Sequence, residues 1–185
     1  MTTTAISQEH WLKQYYYARS AFSIAWIAVA LGPGASLPTV AAALMVVYPA
    51  WDALANLVDG RRSGGIRANK PQALNMVVSL AVALAIGAAL PDMHRVLAVF
   101  GAWAILSGLL QLATGRRRWK ANGAQWAMIL SGAQSALAGA VFMFQAGAQA
   151  EPTIATVVGY AGFGAFYFLV SALSLSAKTR RMHHN

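Results

Sequence analysis

The chain has 185 residues, of which 58% are hydrophobic and only 10% are charged. Soluble domains carry roughly 25% charged residues, so this composition excludes an ordinary soluble globule and predicts a helical membrane protein. The net charge of +9 comes from basic residues that do not form a stripe with exposed aromatic residues, which argues against nucleic acid as a partner. Cysteine is absent, which excludes disulfides and thiolate chemistry.

Six apolar stretches follow in chain order, each close to the roughly 20 residues that cross a bilayer as a helix. We predict helices over 15–32, 37–58, 71–90, 94–114, 123–146 and 153–176. Residues 1–14 are then a polar cytoplasmic or interfacial segment, 15–176 the transmembrane domain and 177–185 a basic cytoplasmic tail. The predicted fold class is all-α, a polytopic membrane protein with six transmembrane helices.

Basic clusters end every second stretch and set the predicted orientation. The opposite loops are almost uncharged, so the positive-inside rule places both termini in the cytoplasm. Attraction to anionic lipid headgroups accounts for the charge, and the bilayer is the expected partner. The arginines predicted to contact these headgroups are Arg61, Arg62, Arg116, Arg117, Arg118, Arg180 and Arg181.

The same clusters align the even-numbered helices without gaps, so that Asp52 falls on Ser107 and Ser171. This alignment predicts three repeated helical hairpins of one orientation, in which each odd-numbered helix pairs with the next. Because lipid removes the usual hydrophobic drive for helices to associate, small residues should mark the packed faces. Such residues lie on the fifth helix between Ser131 and Ala140, and on the sixth at Gly159, Gly162 and Gly164.

Two charges fall inside predicted spans, Arg19 and Asp52. A charge at the bilayer centre costs about 2.5–3.5 kcal/mol on insertion scales, so a partner or water is expected. At ~1.5 Å per residue, Arg19 lies roughly 9 Å beyond Lys13 and Asp52 roughly 13 Å before Arg61, depths that a long arginine side chain can match. The sequence therefore predicts an ion pair between the first two helices.

Further polar residues lie at comparable depth on the other helices. The second helix carries a polar stripe beside Pro49, formed by Tyr48, Asp52, Asn56 and Asp59 at helical spacing. They are interpreted in two ways: as a buried, hydrogen-bonded bracket that fixes helix neighbours, or as a cytoplasm-facing vestibule or proton-responsive network. The predicted intramembrane polar network comprises Arg19, Tyr48, Asp52, Asn56, Asn75, Ser107, Gln111 and Gln134.

Catalytic and metal-binding signatures are not found in the sequence. The four histidines lack the spacing of a metal site, and no nucleophile elbow or phosphate loop appears. His94 is interpreted as an interface residue able to respond to external pH, since histidine titrates in that range. The sequence therefore predicts no enzyme, no metal and no cofactor.

Three segments carry a resemblance to a known family. Residues 17–22 around Arg19, residues 48–60 ending in Leu57-Val58-Asp59-Gly60, and residues 103–115 resemble the HdeD-like membrane proteins. The resemblance implies a short six-helix protein of the bacterial inner membrane, built from repeated hairpins. It also implies a link to acid-stress resistance, with no established biochemical activity.

The leading functional hypothesis is a non-enzymatic multipass inner-membrane protein that contributes to acid or stress tolerance, with the Arg19–Asp52 pair organising the bundle and Asp52 as a candidate proton-responsive group. One alternative is a small transporter or channel that uses the polar stripe of the second helix. Another is an accessory subunit that binds a different membrane protein. Assembly of the chain into a homo-oligomer is also left open.

Overall fold

The structure, a computed structural model, describes residues 3–62, 64–118 and 125–183, and within these ranges it contains helices and no strands. Six of the helices are long and one is a single turn, Pro33–Ser36. In chain order they are α1 (Thr3–Leu31), α2 (Pro33–Ser36), α3 (Pro38–Arg62), α4 (Lys70–Ala89), α5 (Met93–Arg118), α6 (Gln125–Ala146) and α7 (Ala155–His183).

The long helices match the six predicted stretches, but several are longer than predicted. Helix α1 begins at Thr3, so the boundary predicted at residue 15 falls inside a helix, and α7 continues to His183 through the predicted tail. Neither extension contains proline, and α1 meets no glycine before Gly32, so nothing local stops the helices. Apolarity marks only the part of a helix that suits lipid, whereas helical structure continues into polar sequence.

In the part of the chain that the structure describes, five helical segments are long and apolar enough to cross a membrane. They are Pro38–Arg62, Lys70–Ala89, Met93–Ala113, Ile129–Ala146 and Ala155–Ala177. Helix α1 is the long helix that does not qualify, because Arg19 and the polar residues before it lower its mean hydropathy. Composition thus supports a multipass membrane protein.

The closest helix pairs differ from the predicted hairpins. Contacts are most extensive between α5 and α6, between α1 and α7, and between α3 and α4, whereas α6 and α7 barely touch. The tight pairs α3–α4 and α5–α6 are therefore joined through the basic loops, and α1 with α7 brings the two ends of the chain together. The sequence alignment fixed equivalent positions on alternate helices but not which neighbour each helix prefers.

Glycine explains the tightest pair. A Cβ added to Gly139 would lie 2.5 Å from the carbonyl oxygen of Gly101, and one added to Gly108 would lie 2.5 Å from that of Gly132. Backbone therefore lies against backbone at two points along α5 and α6, as expected for small-residue contacts between membrane helices. The predicted packing face of the fifth predicted helix, which is α6, is confirmed here.

The packing prediction is wrong for Gly159 on α7, because a Cβ there would meet nothing within 4 Å. A Cβ at Gly162 would be in ordinary contact with the side-chain end of Ile27 on α1, at 4.0 Å. One at Gly164 would lie 3.3 Å from the Tyr48 hydroxyl on α3, so that glycine does pack. Contacts between α7 and α6 are sparse, so this seam is open rather than closely packed.

The buried apolar core lies mainly in the half of the bundle away from the basic loops. Its centre is Phe100, 1% exposed, whose ring lies edge-on to Trp103 at 5.1 Å and to Tyr160 at 5.7 Å. The Trp26 indole also joins α1 to α3 by donating to the carbonyl of Leu44 at 2.8 Å. This half is packed with apolar and aromatic side chains, whereas the half near the basic loops contains buried polar residues such as Asn56 and Asp59.

Candidate functional site

A cavity of about 240 Å³ lies inside the bundle, with side chains from all six long helices in its wall. Asn56 and Gln111 in this wall are within about two helical turns of Arg61 and Arg116, which places the cavity toward the basic end. All the residues of the predicted polar network line it: Arg19, Tyr48, Asp52, Asn56, Asn75, Ser107, Gln111 and Gln134. The structure thus brings together residues that the sequence placed only at similar depth.

The charged centre of the wall is a contact between α1 and α3. Arg19 Nη2 donates to Asp52 Oδ1, and the two side chains are 14% and 16% exposed. Arg19 Nη1 also donates to the Tyr15 hydroxyl at 3.0 Å, and its guanidinium carbon lies 4.4 Å from the centre of the Phe168 ring. The cation is therefore held by a carboxylate, a hydroxyl and an aromatic face.

The second carboxylate oxygen of Asp52 links α3 to α4 and α5. Asn56 Nδ2 donates to Asp52 Oδ2 at 3.0 Å, and Ser79 Oγ donates to the same oxygen at 2.8 Å. Ser79 in turn accepts a hydrogen bond from Trp103 Nε1 at 3.2 Å. Asp52 therefore connects four helices through a short chain of side chains, which is how a buried charge becomes compensated.

Other polar groups of the wall have no such partners. Within the described ranges, Asn75, Ser107, Gln111 and Ser131 make no hydrogen bond through their side chains, and Gln111 Oε1 is buried as well. A buried polar atom without a partner costs about 1–3 kcal/mol, so water or a ligand is the expected complement. The wall thus divides into a satisfied charged side and an unsatisfied uncharged side.

Aromatic side chains close the cavity toward the apolar core. The ring of Tyr48 lies 6.1 Å from those of Phe100 and Trp103, and Tyr160 lies 6.2 Å from Trp103. The Tyr160 hydroxyl also lies 3.1 Å from Ser135 Oγ, which donates to the carbonyl of Ala104 at 2.9 Å. The cavity is therefore a recess bounded on this side by aromatic rings.

Side chains of α7 in the cavity wall were not predicted from the sequence. Tyr160, Phe163, Gly164 and Tyr167 line the cavity, and their spacing of three, four and seven residues is that of one helical face. That spacing was visible, but an aromatic stripe in an apolar helix also fits a lipid-facing or core surface. Ser131 and Ser135 were assigned to packing, and the structure places both in the wall as well.

At the opposite end of the bundle, His94 bridges the start of α5 and the segment between α6 and α7. Its Nδ1 lies 3.1 Å from the carbonyl oxygen of Ala146, and its Nε2 lies 3.1 Å from Glu151 Oε2. Nearby Asp92 pairs with Arg95 at 2.9 Å. A neutral imidazole carries one N–H, so both contacts of His94 are hydrogen bonds only when the ring is protonated.

The arginines predicted to meet lipid headgroups lie at the basic end. Arg61, Arg62 and Arg116 are exposed, and the guanidinium carbon of Arg62 lies 4.7 Å from the centre of the Trp11 ring. The side chains of the remaining four, Arg117, Arg118, Arg180 and Arg181, lie outside what the structure describes. Among described side chains, no group of three or more His, Asp or Glu converges as a metal site.

Comparison with known protein families gives a match over part of the chain. Residues 93–144, which span α5 and most of α6, match the family model described as a short repeat of unknown function (DUF308), the domain found in HdeD-like membrane proteins. The match confirms the predicted resemblance over this segment and coincides with the glycine-packed pair. Arg19 and Asp52 lie outside it. No significant match was found among curated proteins or among solved structures.

Proposed function

We propose that the chain is a non-enzymatic multipass protein of the bacterial inner membrane in which the Arg19–Asp52 pair organises the helix bundle. The observation that carries the proposal is that contact itself, since it ties α1, the long helix that composition alone does not mark as a membrane span, to α3. In this proposal all six long helices cross the membrane, with both termini in the cytoplasm and the basic loops near anionic lipid.

The same pair gives a physical route to acid tolerance. Protonating Asp52 removes the counter-ion of Arg19 and leaves a cation in the bundle, so low pH acts on the contact that joins α1 to α3. Asn56 and Ser79 also donate to this carboxylate, so its protonation acts on the contact with α4 as well as on the contact with α1. In this proposal, the acid response depends on the fraction of molecules that keep the Arg19–Asp52 contact at the pH of the stress.

Acid survival tests this role with a matched control. A strain that lacks the protein is complemented with the wild type, with Asp52→Asn or with Asp92→Asn, because Asp92 also pairs with an arginine but is 41% exposed. We expect Asp52→Asn to lower survival at acidic pH and Asp92→Asn to leave it unchanged. Wild-type survival with Asp52→Asn would sink the proposed role.

The absence of cysteine makes the topology directly testable. Single cysteines replacing Ala68 in the basic loop or Ala148 at the opposite end are treated in intact cells with a membrane-impermeant maleimide. The proposed orientation predicts labelling of the second position and protection of the first until the cells are opened. Labelling of the Ala68 position in intact cells would reverse the topology.

A second candidate function is a small transporter, and the observation that favours it is the polar cavity itself. The aromatic side chains at its inner end must move for a solute to pass, since they separate it from the opposite face. Flux of an uncharged solute such as glycerol into proteoliposomes tests this candidate. Swelling rates equal to those of protein-free liposomes would count against it.

A further inference from the structure

We propose that the cavity binds the uncharged, hydrogen-bonding head of a single-chain amphipathic molecule, which reaches it from the bilayer through the seam between α6 and α7. The proposal rests on the membrane placement proposed above, but it does not depend on the Arg19–Asp52 pair serving as an acid switch.

The charges in the wall point to an uncharged head. Arg19 donates a hydrogen bond to one carboxylate oxygen of Asp52, and Asn56 and Ser79 donate to the other. Arg19 also donates to the Tyr15 hydroxyl. The pair is electrically neutral as a unit. A ligand with a net charge finds no unspent counter-ion among the described residues of the wall, and would lose its hydration without compensation.

The opposite side of the wall defines the hydrogen-bonding character of that head. Asn75 and Gln111 offer amides, each with donors and an acceptor, and Ser107 and Ser131 offer hydroxyls. These groups have no partner among the described residues. Hydroxyl or carboxamide groups both donate and accept, so they match this surface, and a glycerol-sized head is compatible with about 240 Å³.

The seam between α6 and α7 supplies the route for an apolar chain. A groove there is lined by Gln134, Gly159, Gly162, Phe163, Phe166 and Tyr167. The Phe163 and Phe166 side chains in it are 52% and 58% exposed, and the two glycines leave space where a Cβ would stand. Of the long helices that follow one another in sequence, α6 and α7 are the least closely packed pair. In the proposed membrane placement, this leaves the groove open to lipid.

The groove and the cavity are contiguous. Gln134, Phe163 and Tyr167 line both of them, and the Tyr167 hydroxyl donates to Gln134 Oε1 at 2.9 Å across the seam. One hydrogen bond and one phenyl ring thus separate an apolar groove from a polar recess. A molecule with its head in the recess and its chain in the groove satisfies both surfaces at once.

Photo-crosslinking tests the proposal on the full-length protein, extracted with native lipid in styrene–maleic acid discs so that no sugar detergent competes. The probe is a 1-monoacylglycerol with a diazirine in its chain next to the head, and labelled residues are mapped by mass spectrometry. We expect labelling on α6 and α7 along the seam, and competition by unlabelled 1-monooleoylglycerol. A fatty acid with the same chain and diazirine should label several-fold less.

Seam-filling variants provide the specific control. Gly159→Phe fills the groove and should lower labelling several-fold, whereas Gly87→Phe places the same ring on α4, where a Cβ also meets nothing within 4 Å, and should not. Gly162→Leu serves as a second seam variant if the first fails to fold, and Gln111→Met should weaken labelling from the polar side.

Three results would overturn the proposal: equal labelling by the fatty acid, full labelling of a folded seam variant, or labelling spread evenly over the lipid-facing surface. Competition by free glycerol at the concentration at which the monoacylglycerol competes would identify a soluble solute and overturn the bilayer route. Absence of labelling alongside the expected maleimide topology would refute the ligand site alone. The reverse topology would instead refute the membrane placement on which both proposals rest.

Discussion

Removing one partner of the Arg19–Asp52 pair should destabilise the protein far more than removing both. Breaking a buried ion pair by deleting one partner costs about 3–5 kcal/mol, because the remaining charge is left uncompensated. Both side chains are mostly buried, at 14% and 16% exposure, so this range applies rather than that of surface pairs. We therefore expect Asp52→Asn and Arg19→Met each to lower the unfolding free energy by about 3–5 kcal/mol.

The double variant Arg19→Met with Asp52→Leu supplies the decisive comparison. Replacing a whole buried pair by apolar residues of similar size is often neutral, so this variant should be more stable than either single variant. Methionine can pack its side chain against the Phe168 ring that the Arg19 guanidinium faces. At about 2–4 °C per kcal/mol for a chain of this length, the single variants should melt roughly 6–20 °C below the wild type.

Thermal unfolding in lipid discs, followed by tryptophan fluorescence, measures these differences. The matched control is Asp92→Asn, because its pair with Arg95 is exposed at 41% and 77% and should contribute at most about 1 kcal/mol. The reasoning is refuted if Asp52→Asn and Arg19→Met melt within the range of that control, or if the double variant loses the sum of the two single effects.

Three further predictions concern other parts of the fold. Gly139→Ala should lower the unfolding free energy by about 1–3 kcal/mol, because its Cβ would meet the α5 backbone. Gly87→Ala should leave that free energy unchanged or raise it slightly, and thermal unfolding of the two variants measures the difference. Gln111→Met should raise the unfolding free energy of the ligand-free protein by up to about 1–3 kcal/mol, and a loss would mean that its side chain has a partner. His94→Phe should lower the unfolding free energy by about 1 kcal/mol, because it removes the ring contacts with the Ala146 carbonyl and with Glu151, and an unchanged melting temperature would contradict this geometry.

The long helices and the polar cluster could be predicted because both follow from the cost of polar groups in lipid. Apolar runs had to be helical, and Arg19, Asp52 and the amides had to avoid lipid. Helical rise then placed Arg19 and Asp52 at similar depth, and the structure brings them into contact. Both follow from local sequence and from the helical rise per residue, so they do not require knowing which helices are neighbours.

Helix neighbours could not be predicted, because they depend on surfaces that meet across the sequence. Helices α5 and α6 pack closely because Gly101 lies opposite Gly139, and this alignment of the two helices cannot be seen in the sequence of either one alone. A similar glycine on α7, Gly159, faces open space instead. Small residues permit close packing, but only the partner surface shows whether it occurs.

The ends of the helices were missed for a related reason. Hydropathy marks only the apolar part of a helix, whereas α1 and α7 continue as helices into polar sequence. Thr3–Leu31 is therefore one helix whose first half is polar. Hydropathy alone does not mark α1 as a membrane span, which is why its contact with α3 through Arg19 matters to the account.

The distance between Arg19 and Asp52 in a lipid bilayer tests the central claim most directly. Solid-state NMR on protein with ¹³C-labelled aspartate and ¹⁵N-labelled arginine measures dipolar coupling between Asp52 Cγ and the Arg19 guanidinium nitrogens. Spectra are recorded in an Asp92→Asn background to remove the surface pair, and the Asp52→Asn spectrum is subtracted to isolate Asp52. The account predicts a coupling that fits an ion pair, with nitrogen and oxygen within about 4 Å. A difference spectrum without coupling would contradict it.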